Sequence, residues 1–555
     1  MPDAGVLTVD SDRERVSASF VPGTPPSTES SATSCASSAT ATSDRLRRRR
    51  EKTFQIRPGA AMHAAVRSVP TQFATARRVT DATKKRGVAA VVPLRRANVL
   101  VPRASADAKP PAVDYKSDEF TIPDAPIKDL VPRGAWKVID GGVCAPKGFK
   151  AAAFKAKLRK SGKNQADCCL IVADKPAVVG GVFTKNRVAA APVQYCREVL
   201  AKPDKGTVRA VLANAGQANA ATGVLGMEDA VRSAATVAEA LGCDTDDVLL
   251  QSTGVIGKRI EMDELMGAVP ALAANLKSTK EAAYAAATAI CTTDLVRKTL
   301  AVEVDLGGGG GILGGKKKVR VGGMGKGSGM IHPNMATMLG VVTCDAVVEP
   351  ECWSAMIKRA AHNSFNQISV DGDTSTNDCV VGLASGAAGG DAIVAGSAEA
   401  EKLEAALTAV CVGIAKSIAW DGEGATCLIE CNVKGAQSIE DARTIARSVV
   451  SSSLAKSAIF GHDPNWGRLA CAAGYSGVHF EQEDLRIQLG SHLLMENGQP
   501  LDYDAEEASA YLKDTTAVHG TVVVDVAVGD GDFDASAWGC DLTYDYVKIN
   551  AEYTT

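Results

Sequence analysis

Several features that mark specialised classes of protein are scarce or missing in this sequence of 555 residues. No run of 18 or more apolar residues occurs, so we predict no membrane-spanning helix. The seven histidines are dispersed and none of the 15 cysteines lies in a C-x-x-C pair, so no zinc motif is predicted. A formal net charge of −3 does not indicate a nucleic-acid partner. We expect a soluble protein without a metal ion, whose cysteines are small buried hydrophobic residues in a reducing compartment.

The N-terminal part of the chain differs in composition from the rest. Residues 24–43 are rich in Ser, Thr, Ala and Pro, and the segment from Arg45 to Arg103 contains 16 lysines and arginines but only two acids. Leaders that are rich in Arg and Ser and poor in acids are typical of organellar transit peptides. We predict that residues 1–110 are a transit peptide and linker. The expected destination is the plastid (the chloroplast stroma), and the alternative is the mitochondrial matrix.

From residue 111 onwards, strand-like apolar runs alternate with alanine-rich segments of helical periodicity. The predicted strands are 168–174, 208–214, 248–257 and 521–529, and the predicted helices are 227–242, 280–292, 352–365 and 400–419. Alternation of this kind predicts a layered α/β architecture. The segment 307–318, rich in Gly and Lys, is predicted to be a surface loop between two strands. It lacks the Ser or Thr that completes a phosphate-binding loop.

The segment Lys326–Leu339, KGSGMIHPNMATML, suggests a chain that cuts itself. A threonine hydroxyl is a poor nucleophile without a base, and a chain-terminal threonine carries a base in its own α-amine, whose pKa is about 7.7–8.0. Cleavage between Ala336 and Thr337 would therefore create a nucleophile from an inert residue. Taken alone, an Ala-Thr pair is more often a loop that enters a strand.

Residues 324–345 closely resemble the self-processing segment of the ArgJ family, the ornithine (glutamate) N-acetyltransferases of arginine biosynthesis. The resemblance extends from about Gly134 to Thr555, and includes the motifs STGVIG at 252–257, WDGEGAT at 420–426 and NAEYTT at 550–555. It implies the layered α/β architecture of the DmpA/ArgJ-like fold. It also implies an α chain of residues 111–336, a β chain of residues 337–555 and an α₂β₂ heterotetramer.

The resemblance implies roles for individual residues as well. Thr337 is the expected nucleophile, with Thr253 and Gly254 as the expected oxyanion hole. The implied substrate-binding residues are Thr292, Lys326, Thr337, Glu423, Asn550 and Thr555. A cation such as Lys326 suits a substrate carboxylate, and the Glu423 carboxylate suits an ornithine ammonium. Composition alone favours a surface lysine and a solvated acid at these two positions, and Thr293 is an alternative to Thr292.

The implied activity is transfer of an acetyl group from N2-acetyl-L-ornithine to L-glutamate, by ping-pong through an acetyl-Thr337 intermediate and without a metal or resident cofactor. The sequence leaves open whether acetyl-CoA is also a donor, which would add N-acetylglutamate synthase activity. Two other interpretations stay open. One is a self-cleaving amidase or aminopeptidase with an N-terminal nucleophile, in which water replaces glutamate. The other is an uncleaved paralogue that binds acetylated amino acids or a partner protein without catalysis.

Overall fold

The computed structural model describes residues 110–159, 164–308, 316–332 and 338–552. These residues all belong to one unit of the chain, Asn98–Thr555. The predicted leader and the tip of the predicted 307–318 loop lie outside the described residues. So do three predicted site residues, Ala336, Thr337 and Thr555.

Strands and helices alternate along the described chain. The strands are β1 (Trp136–Ile139), β2 (Phe149–Phe154), β3 (Cys168–Phe183), β4 (Thr207–Gln217), β5 (Val248–Val255), β6 (Lys298–Gly308), β7 (Lys316–Lys326), β8 (Leu339–Cys344), β9 (Ile368–Ser369), β10 (Cys379–Ala384), β11 (Leu428–Ala436), β12 (Leu485–Leu489), β13 (His492–Glu496), β14 (Gln499–Pro500), β15 (Thr521–Val528) and β16 (Phe533–Cys540). The α-helices are α1 (Ile127–Leu130), α2 (Ala191–Leu200), α3 (Gly223–Leu241), α4 (Met262–Ala274), α5 (Lys280–Ala289), α6 (Pro350–His362), α7 (Ala398–Trp420), α8 (Ile439–Ser451), α9 (Ser453–Phe460), α10 (Trp466–Gly474), α11 (Ala505–Ala517) and α12 (Tyr544–Glu552).

The described strands form two mixed sheets. The first has the order β1-β6-β7-β8-β10-β3-β4-β5, with β2 paired to β3, and the second has the order β14-β13-β12-β15-β11-β16-β9. In the first sheet, β8 runs parallel to β10 and β4 runs parallel to β5. In the second sheet, β11 runs parallel to β15 and β9 runs parallel to β16. The first sheet therefore contains strands from both sides of the predicted cut.

Helix α7 contacts β6 and β7 of the first sheet and β11 and β16 of the second. Its approach to β7 depends on glycines, because a Cβ at Gly323 or Gly325 would come within 2.8 Å of the Ile414 side chain. By length and composition alone this helix could cross a membrane, but 72% of its most apolar window is buried inside the protein. It is thus a core helix between two sheets, and the predicted layered α/β architecture is confirmed.

The structure confirms the predicted elements and shifts some of their ends. Helix α3 begins at Gly223, earlier than predicted, and ends as predicted at Gly242, whose φ of 65° closes the helix in the left-handed region. Strand β3 continues past the predicted residue 174 to Phe183. Its pairing with β4 shifts register between Val172 and Ala177, around the exposed residues 174–176. A bulge of this kind interrupts the apolar pattern without ending the strand.

Most of the described cysteines are buried, as predicted. Of the 14 cysteines in the described residues, 12 are buried, and all 14 are free thiols. Burial raises the pKa of the Cys169 and Cys196 thiols to about 12, so these groups are neutral and unreactive at physiological pH.

Candidate active site

A cavity of about 1030 Å³ opens where the carboxyl ends of the parallel strands β4 and β5 meet two turns, at 292–295 and 421–424. Its wall also includes residues 158–159, residues 258–264 and Ile549 of α12. Three predicted site residues, Gly254, Thr292 and Glu423, line this cavity, and Thr293 lines it beside Thr292. Crevices at the carboxyl ends of parallel strands are the usual place for ligands in α/β proteins.

Gly254 is a position that only glycine can fill. Its φ is 124°, a conformation that L residues with side chains rarely adopt. It lies opposite Gly216 of β4, and a Cβ at Gly254 would stand 2.4 Å from the Gly216 carbonyl. The preceding residue, Thr253, is 9% exposed. Gly254 lines the cavity and Thr253 precedes it in β5, and their oxyanion-hole role stays a prediction.

The segment 327–332 follows β7 and is called the strap below. Glu423 lies across it, because the Glu423 N–H donates to the Ser328 carbonyl at 2.9 Å and the carboxylate packs against Gly329. A Cβ at Gly329 would stand 2.4 Å from Glu423 Oε2, so glycine permits this approach. Asn550 Nδ2 of α12 donates to the same Oε2 at 2.9 Å. Lys326 is the half-buried last residue of β7, directly before the strap.

Beneath the cavity lies a buried ion network that the sequence did not reveal. Lys298 is fully buried, and its Nζ lies 2.6 Å from Asp294 Oδ1 and 2.6 Å from Asp421 Oδ2. Burial alone raises the pKa of Asp294, but the Lys298 and Lys326 ammonium groups outweigh it and hold that pKa well below its usual range. Burial lowers the pKa of Lys298, and the two carboxylates outweigh it and raise that pKa. Burial raises the pKa of Asp421 despite the neighbouring cation.

This network connects the segments that carry the predicted site. Asp294 Oδ2 accepts from the Thr292 N–H at 2.9 Å, and Oδ1 accepts from the Gly327 N–H at 2.8 Å. Asp421 accepts from the Leu295 N–H at 3.1 Å. Thr293 and Ser328 add a hydroxyl–hydroxyl hydrogen bond of 2.7 Å between the same turn and the strap. Hydrogen bonds therefore join the turn at 292–295, the strap and the turn at 421–424, and the two turns line the cavity.

Two of the three network residues carried a signal in the sequence. Asp294 closes the CTTD segment and Asp421 precedes the glycine of WDGEGAT, so both stand beside predicted site residues. Lys298 opens a strand, and nothing local marks it as a buried cation. In the part of the chain that the structure describes, no group of three or more His, Cys, Asp or Glu side chains could hold a metal ion.

Comparison with known proteins places the chain in a family. The model of the ArgJ family matches residues 150–555. The chain is similar to the arginine biosynthesis bifunctional protein ArgJ, chloroplastic, of Ostreococcus lucimarinus, with 63% identity over 441 residues that cover 79% of this chain and 93% of that protein. The protein of the same name from Sorghum bicolor is 55% identical over 440 residues, which cover 79% of this chain and 92% of that protein.

A solved structure, that of arginine biosynthesis bifunctional protein argJ from Bacillus halodurans, is 43% identical and covers 38% of this chain and 97% of that chain, with a TM-score of 0.36. This score is too low to bear on the fold, which rests on the strands and helices given above. The names of both relatives include the word chloroplastic, and the predicted plastid localisation is confirmed. With a family model over residues 150–555 and a relative 63% identical, the chain belongs to the ArgJ family.

Proposed function

We propose that this protein transfers an acetyl group from N2-acetyl-L-ornithine to L-glutamate after cutting itself between Ala336 and Thr337. The Thr337 hydroxyl attacks the Ala336 carbonyl and forms an ester as the peptide C–N bond breaks. The freed nitrogen becomes the α-amine of a new chain, and water opens the ester to leave a carboxylate at Ala336. The scheme needs no metal and no resident cofactor, and the cut creates the α-amine that serves as the base in the later acetyl transfer.

The transfer itself follows a ping-pong course. The Thr337 hydroxyl attacks the acetyl carbonyl of N-acetylornithine, while the α-amine accepts its proton and returns it to the departing ornithine nitrogen. The amine of glutamate then attacks the acetyl ester, which releases N-acetylglutamate and restores the hydroxyl. Both steps develop negative charge on the acetyl oxygen, and Thr253 with Gly254 stabilises that charge in our proposal.

The observation that carries the proposal is the convergence of distant motifs at one cavity. Gly254, Thr292 and Glu423 come from three separate segments and share its wall. Asn550, from the far end of the chain, is hydrogen-bonded to Glu423. The ArgJ-family membership supports the acetyl-transfer chemistry, and the named relatives are bifunctional proteins of arginine biosynthesis.

A carboxylate at the cavity wall and a lysine directly before the strap suit an amino acid that carries both signs. The Glu423 carboxylate, held from both sides by the strap and α12, would bind the side-chain ammonium of ornithine. Lys326, which is close enough to Asp294 to lower the pKa of that carboxyl, would bind the substrate carboxylate. Thr292 would add a hydroxyl contact.

We propose acetyl-CoA as a second donor. The cavity of about 1030 Å³ stands at the upper end of the range of roughly 300–1,000 Å³ that holds drug-sized ligands, and so exceeds the needs of one small amino acid. The word bifunctional in the names of the relatives supports the same proposal. The measurement is N-acetylglutamate formation from acetyl-CoA and glutamate, with N-acetylornithine as the reference donor.

N-terminal sequencing of the smaller fragment tests the core of the proposal. The expected sequence begins at Thr337, and Thr337→Ala should abolish both the cut and acetyl transfer. Acetyl transfer that persists in this variant would refute the nucleophile assignment. Ornithine release at full rate without glutamate would instead identify an amidase, and an uncut chain without activity would identify a binding paralogue.

We propose further that the cut protein is an α₂β₂ heterotetramer. The association of the two parts within one copy is supported by the first sheet, where β8 and β10 lie between β7 and β3. The pairing of two copies rests on the family resemblance. Light scattering coupled to size exclusion is the measurement, and a mass of one α and one β chain would contradict the tetramer.

A further inference from the structure

The strap ends four residues before the predicted cut, and one carboxylate from the other side of that cut is hydrogen-bonded to its backbone. Asp371 Oδ2 accepts from the Met330 N–H at 2.6 Å, and Asp371 Oδ1 accepts from the Ile331 N–H at 2.9 Å. Hydrogen bonds to a charged acceptor are stronger than those between neutral groups. Asp371 is thus bonded to two consecutive backbone amides of the strap.

The conformation of Met330 makes this arrangement possible. Its φ is 56°, in the left-handed region that residues other than glycine seldom occupy. When one of two successive residues is left-handed, their N–H groups converge and form a concave site for an anion. Such a conformation persists only where surrounding contacts impose it. The Asp371 carboxylate fills the concave site and so stabilises the unfavourable turn.

The same loop fastens the rest of the strap. The Ile331 carbonyl accepts from the Val370 N–H at 2.7 Å, and the His332 carbonyl accepts from the Thr374 hydroxyl at 2.8 Å. Thr374 also pairs with Ile331 in an isolated antiparallel bridge. The backbone that leads to residue 333 is therefore set by residues that follow Thr337 in the sequence.

A second partner of Asp371 comes from the C-terminal helix. Burial, and after it the nearby Asp371 carboxylate, raises the pKa of the Tyr546 hydroxyl of α12, so this hydroxyl lies close to Asp371. Asn550, one turn further along the same helix, bonds Glu423. One carboxylate thus connects the strap with the helix that reaches the cavity.

We propose that Asp371 is a positioning residue for self-cleavage, which holds the left-handed turn at Met330 and thereby directs the chain that follows the strap. Asp371 acts through the strap backbone and takes no proton in the reaction. The inference rests on the proposed cut between Ala336 and Thr337. It adds to that proposal a requirement for a specific carboxylate in the part of the chain after the cut.

The test follows the cut in the full-length chain by pulse labelling during in vitro translation. The precursor and its two fragments are separated at successive times. We expect Asp371→Asn to slow the cut about 10- to 100-fold, since it removes the charge that strengthens two hydrogen bonds. The matched control is Asp373→Asn, the same change at an exposed position of the same loop, which should cut as fast as the unaltered chain.

Two further variants separate positioning from general stability. Tyr546→Phe removes the helix contact of Asp371 but leaves both strap hydrogen bonds, so it should cut far faster than Asp371→Asn. Equal slowing in both variants would overturn the assignment to the strap. Adding Met330→Gly to Asp371→Asn should restore part of the rate, because glycine adopts a φ of 56° without a partner. No gain from glycine would also contradict the inference.

The outcome distinguishes this inference from the proposed function. An unaltered chain that stays whole, or is cut elsewhere, refutes the proposed function before Asp371 is considered. An unaltered chain that is cut at Thr337, together with an Asp371→Asn chain that is cut equally fast, refutes only the inference about Asp371.

Discussion

Replacing Lys298 with methionine is the sharpest test of the buried network beneath the cavity. The side chain of Lys298 is 0% exposed and is the cation between two buried carboxylates, Asp294 and Asp421. Breaking a buried ion pair by removing one partner costs about 3–5 kcal/mol, because a buried charge is left uncompensated. The network lies in a unit that spans Asn98–Thr555, and at about 2.1 cal/mol/K per residue its unfolding entropy is near 1 kcal/mol/K, so the melting temperature should fall by roughly 3–5 °C.

The control for this substitution lies on the neighbouring strand. Lys318 of β7 pairs with Glu303 at 2.8 Å, but its side chain is 58% exposed. An exposed ion pair contributes about 0–1 kcal/mol, so Lys318→Met should change the melting temperature little. Adding Asp421→Asn to Lys298→Met should recover part of the lost stability, since it removes one of the two buried carboxylates that no longer have the Lys298 cation.

We also predict the direction in which the stability of Lys298→Met changes with pH. In the unaltered chain the folded-state pKa of Asp294 is lowered, so its ionised form contributes stability above an unfolded pKa of about 3.9, and that contribution is lost as the pH falls through the folded pKa. Without the Lys298 cation, burial raises the folded pKa of Asp421 further above its unfolded value, while Lys326 still opposes the effect of burial at Asp294. Protonation of Asp421 then favours the folded state, so the variant gains stability as the pH falls from 7 to 5.

Thermal melts of Lys298→Met, Lys318→Met and the unaltered chain at pH 5 to 8 provide the measurement. The slope of stability against pH should be steeper for Lys298→Met than for the other two, with the greater stability at the acidic end. Equal melting temperatures for the two methionine variants, or no difference in slope, would refute the reasoning about the network.

Three further predictions concern the cavity wall. Gly254→Ala should lower kcat for acetyl transfer about 10²–10³-fold, the usual effect of losing an oxyanion-hole donor, whereas Gly257→Ala, also at positive φ but with nothing within 4 Å of its Cβ, should lower it far less. Glu423→Gln should raise the KM for N-acetylornithine roughly 10- to 100-fold, as expected for a hydrogen bond to a charged group; an unchanged KM would remove Glu423 from the ammonium site. Steady-state kinetics of Thr292→Val and Thr293→Val resolve the one-residue ambiguity, and we expect the larger rise in KM for Thr292→Val.

Elements with a regular apolar period could be predicted from the sequence. Helix α7 and strand β15 lie within a few residues of their predicted ends, because their patterns are uninterrupted and their flanks are polar or glycine. Helix α4 was not predicted, since it contains Pro270, a residue that ordinarily ends helices. Strand β3 was predicted too short, because the exposed residues 174–176 break its apolar pattern.

In the candidate site, residues that lie in local motifs could be predicted from the sequence, whereas a residue whose role depends on a distant partner could not. Motifs located Gly254, Thr292 and Glu423, and the structure brings these residues to one cavity. The role of Lys298 depends on a partner 123 residues away in the chain, Asp421. A pairing over such a separation leaves no periodic or local trace, so only the folded arrangement reveals it.

The strand order of the first sheet has a consequence for recovery from unfolding. Before the proposed cut, β7 and β8 are joined by a short stretch of chain, so refolding is a first-order process. After the cut, β8 and β10 belong to one polypeptide and their neighbours β7 and β3 to another. Refolding then becomes a bimolecular association whose yield depends on protein concentration. Aggregation through the unpaired strand edges of the two chains competes with this association. The cleaved protein should therefore unfold irreversibly in dilute solution, whereas an uncut Thr337→Ala chain should regain its fold.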